Sequence, residues 1–68
     1  MQEFTFYVKE ATSGPSIQQI EATLNQLNGI ERVLIDTEDG EIKVDFDDLI
    51  ISKEEIVLTL QEHDFHII

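Results

Sequence analysis

The spacing of apolar residues switches from two to three or four, returns to two, and repeats the cycle within 68 residues, which leaves room only for short alternating strands and helices. From Glu3 to Lys9, Phe4, Phe6 and Val8 alternate with Thr5, Tyr7 and Lys9, as in a strand with one buried face. Ile17, Ile20, Leu24 and Leu27 then fall on one face of a helix from Pro15 to Asn28, and Asn28-Gly29 is expected to end it in a left-handed cap. Val33 and Ile35 mark a second strand, and Ile42, Val44 and Phe46 a third. Between them Thr37-Glu38-Asp39-Gly40 reads as a tight hairpin turn, with Asp-Gly supplying positive φ. Ser52-Lys53-Glu54-Glu55 is a capping box, with Ile51 and Ile56 placed as a hydrophobic staple. The second helix is expected to bury Ile56, Val57 and Leu60 and to end near His63 and Asp64, leaving Phe65 to Ile68 as a last short strand.

The order βαββαβ predicts an α+β fold, a four-stranded antiparallel sheet with the first and third strands central and both helices on one face. Strand parity sends Thr5, Tyr7, Lys9, Arg32, Leu34, Asp36, Glu41, Lys43, Asp45, His66 and Ile68 to the other, open face. Cross-strand charge pairing accounts for the basic residues there. Tyr7, Lys9, Arg32, Leu34 and Lys43 also mix apolar and basic groups, which suits contact with a protein partner or a second copy of the chain.

Residues 1–68 fit a single domain, because so short a chain encloses only one core. Cysteine is absent, which excludes a disulfide scaffold, a zinc-thiolate site and a thiol nucleophile together. No stretch approaches the roughly 20 apolar residues of a membrane span. The start Met-Gln-Glu-Phe-Thr-Phe lacks a signal-peptide pattern, so the expected location is cytoplasmic, without membrane contact. Fifteen acidic residues against four basic ones give a net charge of −11, which repels nucleic-acid phosphates.

The chain also carries a strand ending near Val8, the loop Ala11-Thr12-Ser13-Gly14-Pro15-Ser16, and a helix ending Leu27-Asn28-Gly29-Ile30. Val33-x-Ile35-Asp36 follows, then a turn and Ile42-x-Val44-x-Phe46-Asp47, and finally Ile56 to Leu60, Phe65 and Ile67. Over nearly its whole length this pattern resembles the heavy-metal-associated domain of copper chaperones and of the N-terminal modules of metal-transporting ATPases. The resemblance implies a ferredoxin-like sandwich and a loop of the form Met-x-Cys-x-x-Cys whose two thiolates hold a soft ion such as copper(I). Here Ser13 and Ser16 stand at both cysteine positions and Ala11 stands at the methionine position. A serine hydroxyl is a hard, neutral donor and cannot replace a thiolate for copper(I). The expected function is therefore a non-catalytic binding or interaction module without a cofactor, related to metal-trafficking domains that have lost ligation. Capping explains the serines structurally: Ser16 with Gln19 reads as a second capping box, Ser13 as the cap of an earlier start, and Pro15 suits the first helical turn.

Two alternatives remain within the sequence. One is a metal-binding or transport protein that uses His63, His66 and carboxylates such as Asp64, giving at most weak binding. The other is a cysteine-to-serine variant of a copper chaperone. The acidic runs around Asp36 to Glu41 and Asp45 to Asp48 lack EF-hand spacing. Acylphosphatase-like domains share the βαββαβ order but use an arginine in the first loop, and this loop has none. No nucleophile with an adjacent histidine and no phosphate-cradling glycine motif occurs, so the chain is not expected to be an enzyme.

Overall fold

The computed structural model describes residues 2–68. Its elements are β1 (Gln2–Tyr7), α1 (Gly14–Asn25), β2 (Ile30–Asp36), β3 (Glu41–Phe46) and α2 (Lys53–Glu62). The strands form one antiparallel sheet in the order β1-β3-β2, with Thr5 opposite Lys43 and Lys43 opposite Leu34. Phe6 and Val8, Ile42, Val44 and Phe46 meet Ile20 and Leu24 of α1 and Ile56 and Leu60 of α2 in one buried cluster. Each fully buried side chain of this size contributes about 1.5–3 kcal/mol by leaving water. Thr5, Tyr7, Arg32, Leu34 and Lys43 are exposed on the opposite face, as the alternation requires.

Parity alone fails at one residue. It would put Ile30 on the open face with Arg32, but the β2 register shifts between them, so Ile30 pairs with Phe46 while Arg32 pairs with Asp45. The extra residue is Glu31, and this bulge returns Ile30 to the core side, where it packs against the buried cluster.

The helix ends also differ from expectation. α1 starts at Gly14 with Ser13 as its N-cap residue, so Ser16 lies inside the first turn and the expected Ser16–Gln19 capping box does not form. The Ser13 side chain accepts no capping hydrogen bond. α1 stops at Asn25, three residues before Asn28, because the Leu27 amide bonds tightly back to the Leu24 carbonyl. Gly29, at φ +95°, acts beyond the helix by turning the chain into β2. α2 does carry its cap: Ser52 Oγ accepts from the Glu55 amide at 3.2 Å, and Ile51 and Ile56 are both buried. Val57, expected in the core, is only half-buried. In the hairpin only Gly40 takes positive φ, at +77°, while Asp39 Oδ1 accepts from the Glu41 amide.

The expected fourth strand is reduced to a single bridge between Val8 and Ile67. The reason lies in β1, which turns out of the sheet at this point: the Val8 carbonyl accepts from the Ala11 amide at 3.1 Å. The last segment therefore meets only the end of β1, where the Lys9 amide donates to the His66 carbonyl and the Ile68 amide to the Tyr7 carbonyl. Glu10 secures this contact. Its Oε1 accepts from the His66 amide at 2.8 Å and its Oε2 lies 2.6 Å from His66 Nδ1. These bonds, the backbone one first, hold the Glu10 carboxyl below its ordinary value.

Two outcomes follow from these contacts. A Cβ at Gly40 would lie 2.6 Å from the Val8 carbonyl oxygen, at a φ that favours glycine. Gly40→Ala should therefore cost about 2 kcal/mol or more, read as a lower urea midpoint, and an unchanged midpoint would contradict the clash. Because the folded Glu10 carboxyl is depressed, its contribution is present above the ordinary glutamate value and is lost as pH falls through the lowered one. Glu10→Ala should speed amide exchange at Lys9 and Ile68 several-fold near neutrality, and the difference from wild type should close in acid. A difference that persisted at pH values below both carboxyl values would show that charge is not its origin.

Candidate functional site

The loop that the sequence singles out leaves β1 at Val8 and enters α1 at Gly14. Ala11 is fully buried beneath it and lies against Gly40, which anchors the loop floor on the β2–β3 hairpin. Thr12, Ser13 and Gly14 are exposed, and Ser16 is half-buried in the first turn of α1. The Ser13 carbonyl accepts the Ile17 amide at 2.9 Å, the first bond of the helix. Ser13 and Ser16 thus stand together at a helix start with hydroxyls as their only ligating groups. Two alcohols supply neither the charge nor the polarisable donors that a soft cation requires.

His63 and His66 are both exposed and take different partners. His63 closes α2 and its Nδ1 lies 2.8 Å from the Thr59 carbonyl oxygen, whereas His66 Nδ1 faces the Glu10 carboxylate. The carboxylate can only accept, so Nδ1 of His66 carries the hydrogen. Among the described residues no three His, Asp or Glu side chains gather into a metal-binding group. Glu10 is the residue that sequence reasoning missed. It joins the loop to a segment 56 residues away, and nothing in local spacing signals such a contact.

The open sheet face sets Thr5, Lys43 and Leu34 in one row across three strands, with Tyr7, Glu41 and Asp36 in the row on one side and Glu3, Asp45 and Arg32 in the row on the other. Four carboxylates, Glu3, Asp36, Glu41 and Asp45, meet three cationic side chains, Lys9, Arg32 and Lys43. The face is therefore nearly neutral, and almost all of the net charge of −11 lies on the rest of the molecule. Tyr7 donates its hydroxyl to Glu41 Oε2 at 3.2 Å, and this bond to a carboxylate raises the phenol above its ordinary value. An open depression of about 450 Å³ beside Leu34, Asp36, Glu41 and Lys43 is too shallow to enclose a substrate. No helix among the described residues is long and apolar enough to cross a membrane.

By sequence the chain matches no family model and no curated protein. By structure it is similar to the CopZ metallochaperone, with a TM-score of 0.90 over 98% of this chain and 100% of that one at 16% identity. It is also similar to the putative copper-ion-binding protein from Bacillus anthracis str. Ames, with a TM-score of 0.89 over 98% of this chain and 94% of that one at 22% identity. A copper binding domain from the P-type ATPase HMA7 matches 100% of this chain with 92% of its own length, at a TM-score of 0.90 and 20% identity. At these identities the likeness is one of fold. The chain therefore has the fold of heavy-metal-associated copper chaperones, without a cysteine to hold a metal.

Proposed function

We propose that residues 1–68 act as one non-catalytic, cytoplasmic interaction module, built on a metal-trafficking fold in which thiolate ligation has been given up. The observation that carries this reading is the pair Ser13 and Ser16 at the start of α1, on the loop where the resemblance to heavy-metal-associated domains implies two thiolates. The module needs no cofactor and works through contact. The open sheet face is its contact surface, because Lys9, Arg32 and Lys43 stand there with the exposed apolar side chains of Tyr7 and Leu34 on an otherwise strongly acidic protein.

Copper(I) tests the loss of ligation. The unmodified chain should compete poorly with a coloured copper(I) chelator under reducing conditions, whereas Ser13→Cys with Ser16→Cys should bind one ion per chain and each single variant far less. Recovery should be partial, since small Ala11 underlies the loop. Tight one-to-one binding by the unmodified chain would overturn the reading in favour of a metal-handling protein.

The contact surface is tested by chemical-shift mapping, with the copper binding domain of a P-type ATPase as the probe. Shifts are expected at Tyr7, Lys9, Arg32, Leu34 and Lys43. Shifts confined to the helical side would reject the open face.

A further inference from the structure

The Asn28-Gly29 pair lies outside α1, in the turn that leads to β2, while Asp39-Gly40 shapes the β2–β3 hairpin. The chain has a second asparagine, Asn25, which is followed by Gln26. In each of these pairs the side-chain carbonyl carbon stands within one residue of the next backbone amide, close enough for the two to join in a cyclic imide. Such a ring closes only if the amide nitrogen can turn toward the side chain, so the hydrogen bonds of the three amides decide which pair reacts. The Gln26 amide donates to the Ala22 carbonyl at 3.2 Å, and the Gly40 amide donates to the Asp36 carbonyl at 3.0 Å. Asp39 is held as well, its Oδ1 accepting from the Glu41 amide at 3.0 Å. Among the described residues the Gly29 amide donates to no protein acceptor. Asn28 is exposed, so water reaches its side chain, and Gly29 has no Cβ to shield the nitrogen.

We infer that Asn28 is a modification site of this protein, which converts without an enzyme to an aspartyl or an isoaspartyl residue. The Gly29 nitrogen loses its proton and bonds to Asn28 Cγ, and the side-chain nitrogen leaves with a proton as ammonia. Water then opens the imide. Breaking the bond from the Gly29 nitrogen to Cγ gives aspartate in an ordinary chain, whereas breaking its bond to the main-chain carbonyl carbon leaves the chain running through Cβ and Cγ. Water is the sole co-reactant, and nothing is oxidised or reduced. The turn converts this change into packing. The Gly29 carbonyl accepts the Asp47 amide at 2.8 Å, which ties the turn before β2 to the turn after β3. A Cβ at Gly29 would lie 3.0 Å from Ile50 and Ile51, so the backbone has little room to move. The aspartyl form keeps the path of the chain and adds one negative charge. The isoaspartyl form lengthens the main chain just before Gly29 and displaces it from Asp47. The site stands at the end of α1 opposite to Ser13 and Ser16, so it does not depend on the function proposed above.

The protein is held warm at mildly alkaline pH, then digested and mapped by mass spectrometry for the change of amide to acid. Asn28 should yield both linkages, faster as pH rises because the attacking nitrogen must lose its proton, while Asn25 stays intact. Asp39→Asn sets a second asparagine before a glycine, and its amide oxygen can still accept from the Glu41 amide. In the folded chain it should react at least about tenfold more slowly than Asn28, because the Gly40 amide must first leave the Asp36 carbonyl. In strong urea, which releases both turns, the two rates should converge. Amide exchange at Asp47 should quicken several-fold in the isolated isoaspartyl form and stay unchanged in Asn28→Asp. No acid at Asn28, conversion of Asn25 at the same rate, or equal rates at positions 28 and 39 in the folded chain would overturn the inference. A gap that persisted in urea, or unchanged exchange at Asp47 in the isoaspartyl form, would count against it equally.

Discussion

The way the chain turns out of β1 at Val8 governs much of what surrounds it. The Val8 amide bonds to the Gly40 carbonyl, its carbonyl receives the Ala11 amide, and Val8 itself bridges Ile67. One residue therefore joins the first strand, the β2–β3 hairpin, the loop into α1 and the end of the chain. Gly40 permits this convergence because it has no side chain to meet the Val8 carbonyl. Ala11 fits the same space from the loop side and is fully buried. A change at any of these positions would be felt at all of them, since close-packed interiors transmit displacement rather than absorb it.

That junction also fixes what the loop can do chemically. It holds Ser13 and Ser16 at the start of α1 on a firm floor, where their side chains offer only hydroxyls. The nearest charged anchor is Glu10, and it is already committed to the His66 backbone and ring. The carboxylate thereby serves architecture, closing the sheet at a place where only one pair of residues can bridge.

Charge divides the molecule in a second way. The sheet face offers balanced charges and the exposed side chains of Tyr7 and Leu34, while the helical side and loops carry most of the net charge of −11. Long-range repulsion between acidic surfaces penalises approach from the helical side more than approach over the sheet. On the turn after β3, Leu49 is 92% exposed although Asp47 holds that turn firmly, accepting from the Leu49, Ile50 and Ile51 amides. Its exposure follows from the turn geometry, since Ile51 two residues later is the side chain that enters the core.

The alternation of Phe4, Phe6 and Val8, the helical spacing of Ile20 and Leu24, and the Ser52 cap were legible because each is a local rule. Side-chain period and capping act over a few residues, and those residues are adjacent in the sequence. The serines of the loop were legible too, since their chemistry does not depend on what surrounds them. The turn of Ile30 into the core, the start of α1 at Gly14 and the shrinkage of the last strand to one bridge were decided only by the tertiary structure. Each depends on register or on a partner far along the chain: Phe46 for Ile30, Gly40 for Val8 and Glu10 for His66. The sequence by itself determined which side chains were apolar and at what period. Only packing decided which backbone groups were left to meet, because that choice is made where distant segments compete for the same edge.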